Sequence, residues 1–363
     1  MLRAGLIGFP STGKSTIFRL LTSAREGARP SQGRSDANVG VSRVPDPRLD
    51  RLSAMYSPKK TTPATVEFAD MAGASRAGGG AKDLLDVAAF RNADALLHVV
   101  RAFRDEAVPH PSGSVDPARD VRAMEDELLL ADLGVVERRL ERLEKDLKKT
   151  PSADLKREQE ILLACQTALE AGTPLRALGL TGDDLKRLRG FQFLSAKPQL
   201  LVINLDEQDL GSIDRAVALT GLETFAAQPA TRAVPLCAKI ELEIAELAAE
   251  DAAAFMSDLG LKESGLDRVI RASYDLLGYI SFFTVGEDEC RAWSIPRDTP
   301  APLAAGEIHT DIARGFIRAE VVAYEPLVTR GSYAACRDKG EVRLEGKEYV
   351  VQDGDIINFR HAT

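Results

Sequence analysis

The sequence predicts an α/β fold in which parallel strands alternate with helices, a long helical hairpin interrupts them, and a small β-rich domain follows. Three observations carry this reading. Short apolar runs bounded by turn or charged residues recur at 4–7, 65–69, 95–100 and 200–203, the signature of buried parallel strands. Between about 118 and 190 the pattern changes to long charged helices, and after 278 to strand-like runs punctuated by prolines.

A chain of 363 residues is too long for one ordinary core, so two or three domains are expected. With 44% hydrophobic and 28% charged residues there is ample apolar surface to bury, which excludes disorder as the ground state. The net charge of −8 argues against nucleic-acid binding driven by total charge, and no DNA partner is expected. Cys165, Cys237, Cys290 and Cys336 form no C-x-x-C pair and read as reduced thiols, giving a redox-independent cytoplasmic protein. No run approaches the roughly 18 apolar residues a membrane span needs, so no membrane partner is expected.

The strand at 4–7 meets a Gly-rich turn and then a helix over Thr16 to Ser23. That turn, Gly8-Phe9-Pro10-Ser11-Thr12-Gly13-Lys14-Ser15, has the spacing of a phosphate-binding loop in the strand-before, helix-after context the mechanism requires. The loop from Pro10 to Thr16 would wrap the phosphates, its backbone N–H groups coming from Ser11 onward. Lys14 would balance β- and γ-phosphate charge, and Ser15 would ligate Mg²⁺. Asp70, ending the strand at 65–69 and opening Asp70-Met71-Ala72-Gly73, is placed like the Mg²⁺-side aspartate and γ-phosphate-sensing glycine of switch GTPases. Ala74 follows Gly73, so no glutamine stands there to orient water. These features define a P-loop NTPase of the G-domain type.

Guanine-specific switches read the base with Asn-Lys-x-Asp. Here the strand at 200–203 leads into Asn204-Leu205-Asp206-Glu207, which lacks both the lysine and the aspartate. Losing the bidentate carboxylate contact to guanine weakens that preference and favours adenine. An ordinary acidic loop remains the alternative at this point.

Within the helical region Leu133, Val136, Leu140, Leu143 and Leu147 recur at steps of three and four, predicting a coiled-coil seam, though two repeated heptads are equally compatible with a plain helical hairpin. Glu141 with Lys145 and Glu144 with Lys148 add i,i+4 pairs. Thr150-Pro151-Ser152 breaks the helix before a second one holding Leu155, Leu162, Cys165 and Leu169. Strand sequence resumes at 200, so the hairpin is an insertion. In the C-terminal part strands are expected at 280–285, 291–295, 319–324, 347–351 and 356–359. His98, inside an apolar strand, reads as a satisfied core residue, and the lone loop histidine His110 reads by itself as a solvated side chain.

Together the motifs resemble the YchF/Obg-like ATPase family over nearly the whole chain. Besides the phosphate loop and Asp70 to Gly73, the likeness rests on Val44-Pro45-Asp46-Pro47-Arg48-Leu49, Gly113 to Pro117, Asn204 to Glu207 and Ala238-Lys239-Ile240-Glu241. It continues through Phe282 to Gly286, Arg291 to Trp293, Ala304 to Gly306, Ile308 to Asp311, Gly315 to Glu320 and Gln352 to Asp355. The resemblance implies a P-loop domain over 1–117 and 195–277, an inserted α-helical coiled-coil hairpin over 118–194 and a C-terminal β-grasp (TGS) domain over 278–363. It implies slow hydrolysis of ATP with Mg²⁺, and association with the large ribosomal subunit and ribosomal RNA in translation regulation or stress response. Nucleotide contacts would come from the phosphate loop, Gly73, Asn204, Leu205, Glu207, Cys237, Ala238 and Lys239, with Ser15 and Asp70 at the metal. Catalysis would fall to Lys14 and to a loop histidine, His110 here.

Departures from the family pattern lie in the switches. Ser11-Thr12 replaces the family's Asn-Val, which argues against potassium stimulation. The stretch Gly27 to Ala37 lacks the usual Mg²⁺-sensing threonine segment, and 74–83 is short and glycine-rich. Two alternatives therefore stay open: a hydrolysis-deficient, nucleotide-gated ribosome- or RNA-binding module, and a GTPase. The hairpin's Arg138, Arg139, Arg142, Lys145, Lys148 and Lys149 alternate with glutamates and read either as an RNA contact or as a solvated face.

Overall fold

The computed structural model describes residues 3–23, 38–70 and 87–362. Gly73 and the segments 27–37 and 74–83 lie outside them, so the expectations placed there have no structural counterpart below.

The first sheet carries strands in the order β2-β4-β1-β5-β6-β7, from Asn38–Arg43 (β2), Thr65–Asp70 (β4), Arg3–Ile7 (β1), Ala95–Arg101 (β5), Gln199–Asn204 (β6) and Thr231–Leu236 (β7). From β4 to β7 every neighbouring pair runs parallel. The four runs read from sequence are the four central strands, and β5 and β6 are buried at every position, as continuous apolar runs should be. Because the chain passes from β1 to β4 on one side and then to β5 on the other, a topological switch point opens at the carboxyl end of β1. There the phosphate loop turns into α1 (Lys14–Ser23).

Helix α3 (Pro117–Lys149) does two jobs along its length. Asp116 caps it, and Pro117 supplies the preset φ of a first helical turn. Its early residues Met124 and Leu128 pack with Ile7 and Leu96 of the sheet. Its later residues Val136 and Leu143 pack with Leu162, Cys165 and Leu169 of α4 (Ala153–Glu170). The hairpin is thus present, but its first third belongs to the sheet's own core, which moves the boundary expected at 118 further along the helix. Leu147 lies outside the shared cluster. Neither expected i,i+4 pair closes among the described residues; Arg139 reaches across to Glu158 of α4 instead, at 2.7 Å. The reach across joins two helices, whereas an i,i+4 pair would only decorate one. At the bend between the two roles, fully buried Asp132 accepts the Leu194 and Ser195 N–H groups and the Ser195 hydroxyl.

The second sheet runs β11-β10-β12-β8-β9-β3. Its strands are Lys60–Thr62 (β3), Tyr279–Thr284 (β8), Glu289–Pro296 (β9), Phe316–Ala323 (β10), Arg343–Glu345 (β11) and Asp355–His361 (β12). One face buries Ile280, Phe282, Ile295, Val321 and Phe359 with Ala301, Ala304 and Ala305 of the helix Ala301–Ile308. The strand expected at 347–351 is absent: the chain turns through Gly346 to Tyr349, and only Val350 makes an isolated bridge, to Pro300.

By contacts the chain divides into Met1–Val41 with Glu67–Leu276, and Ser42–Val66 with Leu277–Thr363. This differs from the division read from sequence, which left 42–66 in the nucleotide-binding domain. The physical reason is β3, which pairs in parallel with β9 through Lys60, Thr61 and Thr62, together with α2 (Pro47–Tyr56) beside it. Within this unit two motifs some three hundred residues apart meet. Asp46 caps α2 and holds Arg48 at 2.8 Å, while Arg48 binds Asp353 at 2.8 Å. Asp353 also accepts the Ser281 N–H. Burial pulls the Arg48 guanidinium down, but its hydrogen bonds to Asp46 and Asp353 raise it well above its ordinary range.

Candidate functional site

Every phosphate-loop residue named from sequence lies at the carboxyl end of β1. Gly8 has φ +147°, and a Cβ there would stand 2.6 Å from the Val99 carbonyl; Gly13 has φ +94°, and its Cβ would stand 2.5 Å from the Asn204 amide. Only glycine fits at either point. Ser11 adopts φ +62°, unusual for a residue with a side chain. Lys14 folds back so that its ammonium donates to the Gly8 and Phe9 carbonyls at 2.8 and 2.6 Å, and the Thr12 hydroxyl donates to Phe9 at 3.1 Å. Burial lowers the Lys14 ammonium to about 8, with the Asp70 carboxylate pulling the other way. Asp70 is buried at the end of β4, level with Leu6 of β1, and Ser15 is exposed in the first turn of α1.

Asn204 ends β6 and is buried. Its amide donates to the Thr12 carbonyl at 3.0 Å, and its carbonyl oxygen accepts the Ala238 N–H at 3.0 Å. One side chain therefore ties the phosphate loop to the start of the helix Ala238–Glu246. Around it opens a cavity of about 560 Å³ lined by Gly13, Thr16, Asn204, Leu205, Glu207, Cys237, Ala238 and Lys239 among others. These are eight of the nucleotide-contacting residues named from sequence. Glu207 and Lys239 form an ion pair across the rim. Burial raises the Cys237 thiol, which keeps it protonated and inert.

The sequence reading missed Phe103, Arg104, Asp105 and Leu242, which also line this cavity. No motif marks them; the signal available was the place of Phe103, Arg104 and Asp105 just after β5, and of Leu242 on the helix Ala238–Glu246 that follows β7, since ligands in such sheets bind outside the carboxyl ends of strands. A larger cavity of about 780 Å³ shares Arg104, Leu205 and Asp206 and opens against the start of α3. It contains no phosphate-loop residue, so the site is assigned to the smaller one.

His110 is buried, not solvated. Ser112 N–H donates to Nδ1 at 3.1 Å, which puts the ring proton on Nε2, and Nε2 donates to Asp120 Oδ2 at 2.8 Å. Arg119 grips the other Asp120 oxygen at 2.8 Å. In this arrangement the imidazole has no free lone pair, and His110 is not among the residues lining the nucleotide cavity. His98 is buried as expected but not satisfied, because its Nδ1 has no hydrogen-bond partner among the described residues. Burial, aided by the charge of Lys14, lowers it to about 3 and keeps it neutral.

All four cysteines are free and buried. Among the described residues no cluster of three or more His, Cys, Asp or Glu could hold a metal ion, and no helix is long and apolar enough to cross a membrane.

A glycine-shaped loop at a switch point, a half-buried lysine inside it, and an asparagine joining it to a second loop define a P-loop nucleoside triphosphatase domain of the G-domain type. Residues 3–139 match the family model described as "50S ribosome-binding GTPase". Residues 279–362 match a model for the C-terminal part of YchF GTPases, described as "Protein of unknown function (DUF933)". The chain is 44% identical to the "Ribosome-binding ATPase YchF" of Bacillus subtilis (strain 168), over 99% of both proteins. It is 40% identical to the protein of that name from Escherichia coli O157:H7, over 98% of both. The solved structure of the Schizosaccharomyces pombe YchF GTPase superposes with a TM-score of 0.84 at 31% identity, covering 99% of this chain and 97% of that one. The chain belongs to the YchF family.

Proposed function

We propose that this protein is a P-loop ATPase that binds and slowly hydrolyses ATP with Mg²⁺ and associates with the ribosome, its nucleotide state setting the grip. The observation that carries base choice is the ion pair between Glu207 and Lys239. Glu207 stands where guanine-specific switches place their base-reading aspartate, and Lys239 pairs with its Oε1, so a bidentate contact to the guanine N1 and N2 protons would have to compete with that ion pair. Phe103 supplies an aromatic wall for the base, and Asn204, Leu205, Cys237 and Ala238 its floor.

At the phosphates, Lys14 exchanges the Gly8 and Phe9 carbonyls for β- and γ-phosphate oxygens, and Ser11 to Thr16 present backbone N–H groups, Pro10 having none to give. The Ser15 hydroxyl and Asp70 carboxylate are the hard oxygen donors that suit Mg²⁺, which when bound neutralises charge on the phosphates. Gly73 would complete that side. His110 serves as the group that positions or deprotonates attacking water once its bonds to Asp120 and Ser112 are released.

By this reading the ribosomal partner is the large subunit, met by the hairpin within 118–194 and by the TGS-like domain within 278–363, with hairpin basic residues near ribosomal RNA. The protein works in the cytoplasm. The same engagement of His110 favours a second reading, a nucleotide-gated binding module that hydrolyses almost nothing. One titration with ATP and GTP analogues in Mg²⁺, followed by phosphate release, separates these. ATP preference with slow turnover that falls in His110→Ala supports the ATPase; binding without turnover supports the module; GTP preference refutes the adenine assignment. Cosedimentation with isolated large and small subunits, with ATP or ADP, tests the partner.

A further inference from the structure

Arg101, at the end of β5, has the largest fully buried side chain among the described residues. An unpaired guanidinium in that position is costly, and polar burial demands partners. No carboxylate among the described residues pairs with it. Its N–H groups instead go to four backbone carbonyls: Ser11 at 3.4 Å, Phe103 at 3.2 Å, Asp105 at 3.5 Å and Val108 at 2.7 Å. The guanidinium also lies over the Phe103 ring, 4.5 Å from its centroid.

Of these partners, Ser11 is the informative one. A peptide unit is planar and trans, so its C=O and N–H point in opposite directions. Fixing the Ser11 carbonyl toward Arg101 therefore fixes the Thr12 N–H away from it, on the inner side of the loop. Asn204 does the same for the next unit, because its hold on the Thr12 carbonyl aims the Gly13 N–H. Arg101 and Asn204 are register partners on the adjacent strands β5 and β6. Two neighbouring strand ends thus grip two consecutive carbonyls on the outside of the phosphate loop.

We propose that Arg101 is a positioning residue for phosphate binding, which orients the Ser11–Thr12 peptide as Asn204 orients Thr12–Gly13 and leaves its own positive charge uncompensated behind the loop. The left-handed φ of Ser11 fits this role, since a side-chain-bearing residue keeps that conformation when the surroundings hold it. The inference rests on the reading of this loop as a nucleotide site.

The test compares ADP and adenosine by calorimetry, with Mg²⁺, for the full-length protein and its Arg101→Met and Arg101→Lys variants. The ratio of the two affinities isolates what the phosphates contribute, which a general loss of packing would not move. In Arg101→Met that ratio falls about tenfold, as expected for losing a charge-assisted alignment. In Arg101→Lys it falls less, because one ammonium keeps the charge but cannot span Ser11 and Val108 together. An unchanged ratio in a folded Arg101→Met variant overturns the inference. Should that variant fail to fold, an unchanged ratio in Arg101→Lys overturns it equally. Wild-type protein that binds ADP no better than adenosine would instead defeat the nucleotide-site reading itself, and this inference with it.

Discussion

Two arginines, one in each unit, the first half-buried and the second fully buried, settle a positive charge in opposite ways. Arg48 meets two carboxylates, Asp46 and Asp353, and caps a junction between α2 and the turn before β12. Among the described residues Arg101 meets neutral carbonyls, one of them in the phosphate loop, and the Phe103 ring, but no carboxylate. A cation closed off by permanent anions is a fastener. A cation that has been given dipoles but no counter-charge is still available to an anion that arrives later. The contrast separates a clamp that holds a unit together from a set of groups prepared for a ligand.

The sharpest way to break that contrast is at the loop's own cation. Lys14→Ala removes a charge-assisted contact to the phosphates and should weaken ADP binding about a hundredfold while leaving the melting temperature nearly unchanged; normal affinity would contradict the loop assignment. Next comes His110→Ala, where phosphate release should fall about a hundredfold with nucleotide affinity retained. Unchanged turnover would leave His110 as a structural partner of Asp120 only. On the other side, Arg48→Met leaves Asp46 and Asp353 without their cation and should cost about 2 kcal/mol in urea unfolding, with ADP affinity unaltered. A loss of nucleotide binding without loss of stability would reverse the roles assigned to the two regions.

The smallest effect is in pH. Lys14 sits at about 8 in the folded protein against 10.5 when unfolded, so between those values the unfolded chain holds the extra proton. Stability without nucleotide therefore rises with pH across that window. Nucleotide binding restores the charged ammonium, so it takes up a proton there, and ADP affinity should decline above pH 8 by at most roughly tenfold per unit. Calorimetry in buffers of different ionisation heat would detect the uptake; a flat profile to pH 9.5 would mean that Lys14 is already charged in the nucleotide-free protein across that window.

The legible part of this protein was the part written in contiguous spacing. The phosphate loop, Asn204 and the four central strands could be read because each needs particular residues at fixed intervals. Arg101 and Phe103 could not, since an arginine ending an apolar strand has no pattern that announces carbonyl partners seven and ninety residues away. His110 looked solvated for a similar reason: its partner Asp120 lies ten residues on, across the start of α3. β3 escaped notice because three residues beside a proline carry too little periodicity to be recognised as a strand.

The placement of β3 has a consequence for how the protein is made. Residues 42–66 leave the ribosome about two hundred residues before β8 and β9 exist to receive them. At ordinary synthesis rates they wait roughly 10 to 40 s, with Arg48 lacking Asp353 and β3 lacking a neighbour. Folding of the second unit is therefore post-translational in its last step, even though one of its edges is among the first segments synthesised. A fragment cut at residue 277 would be born without that edge.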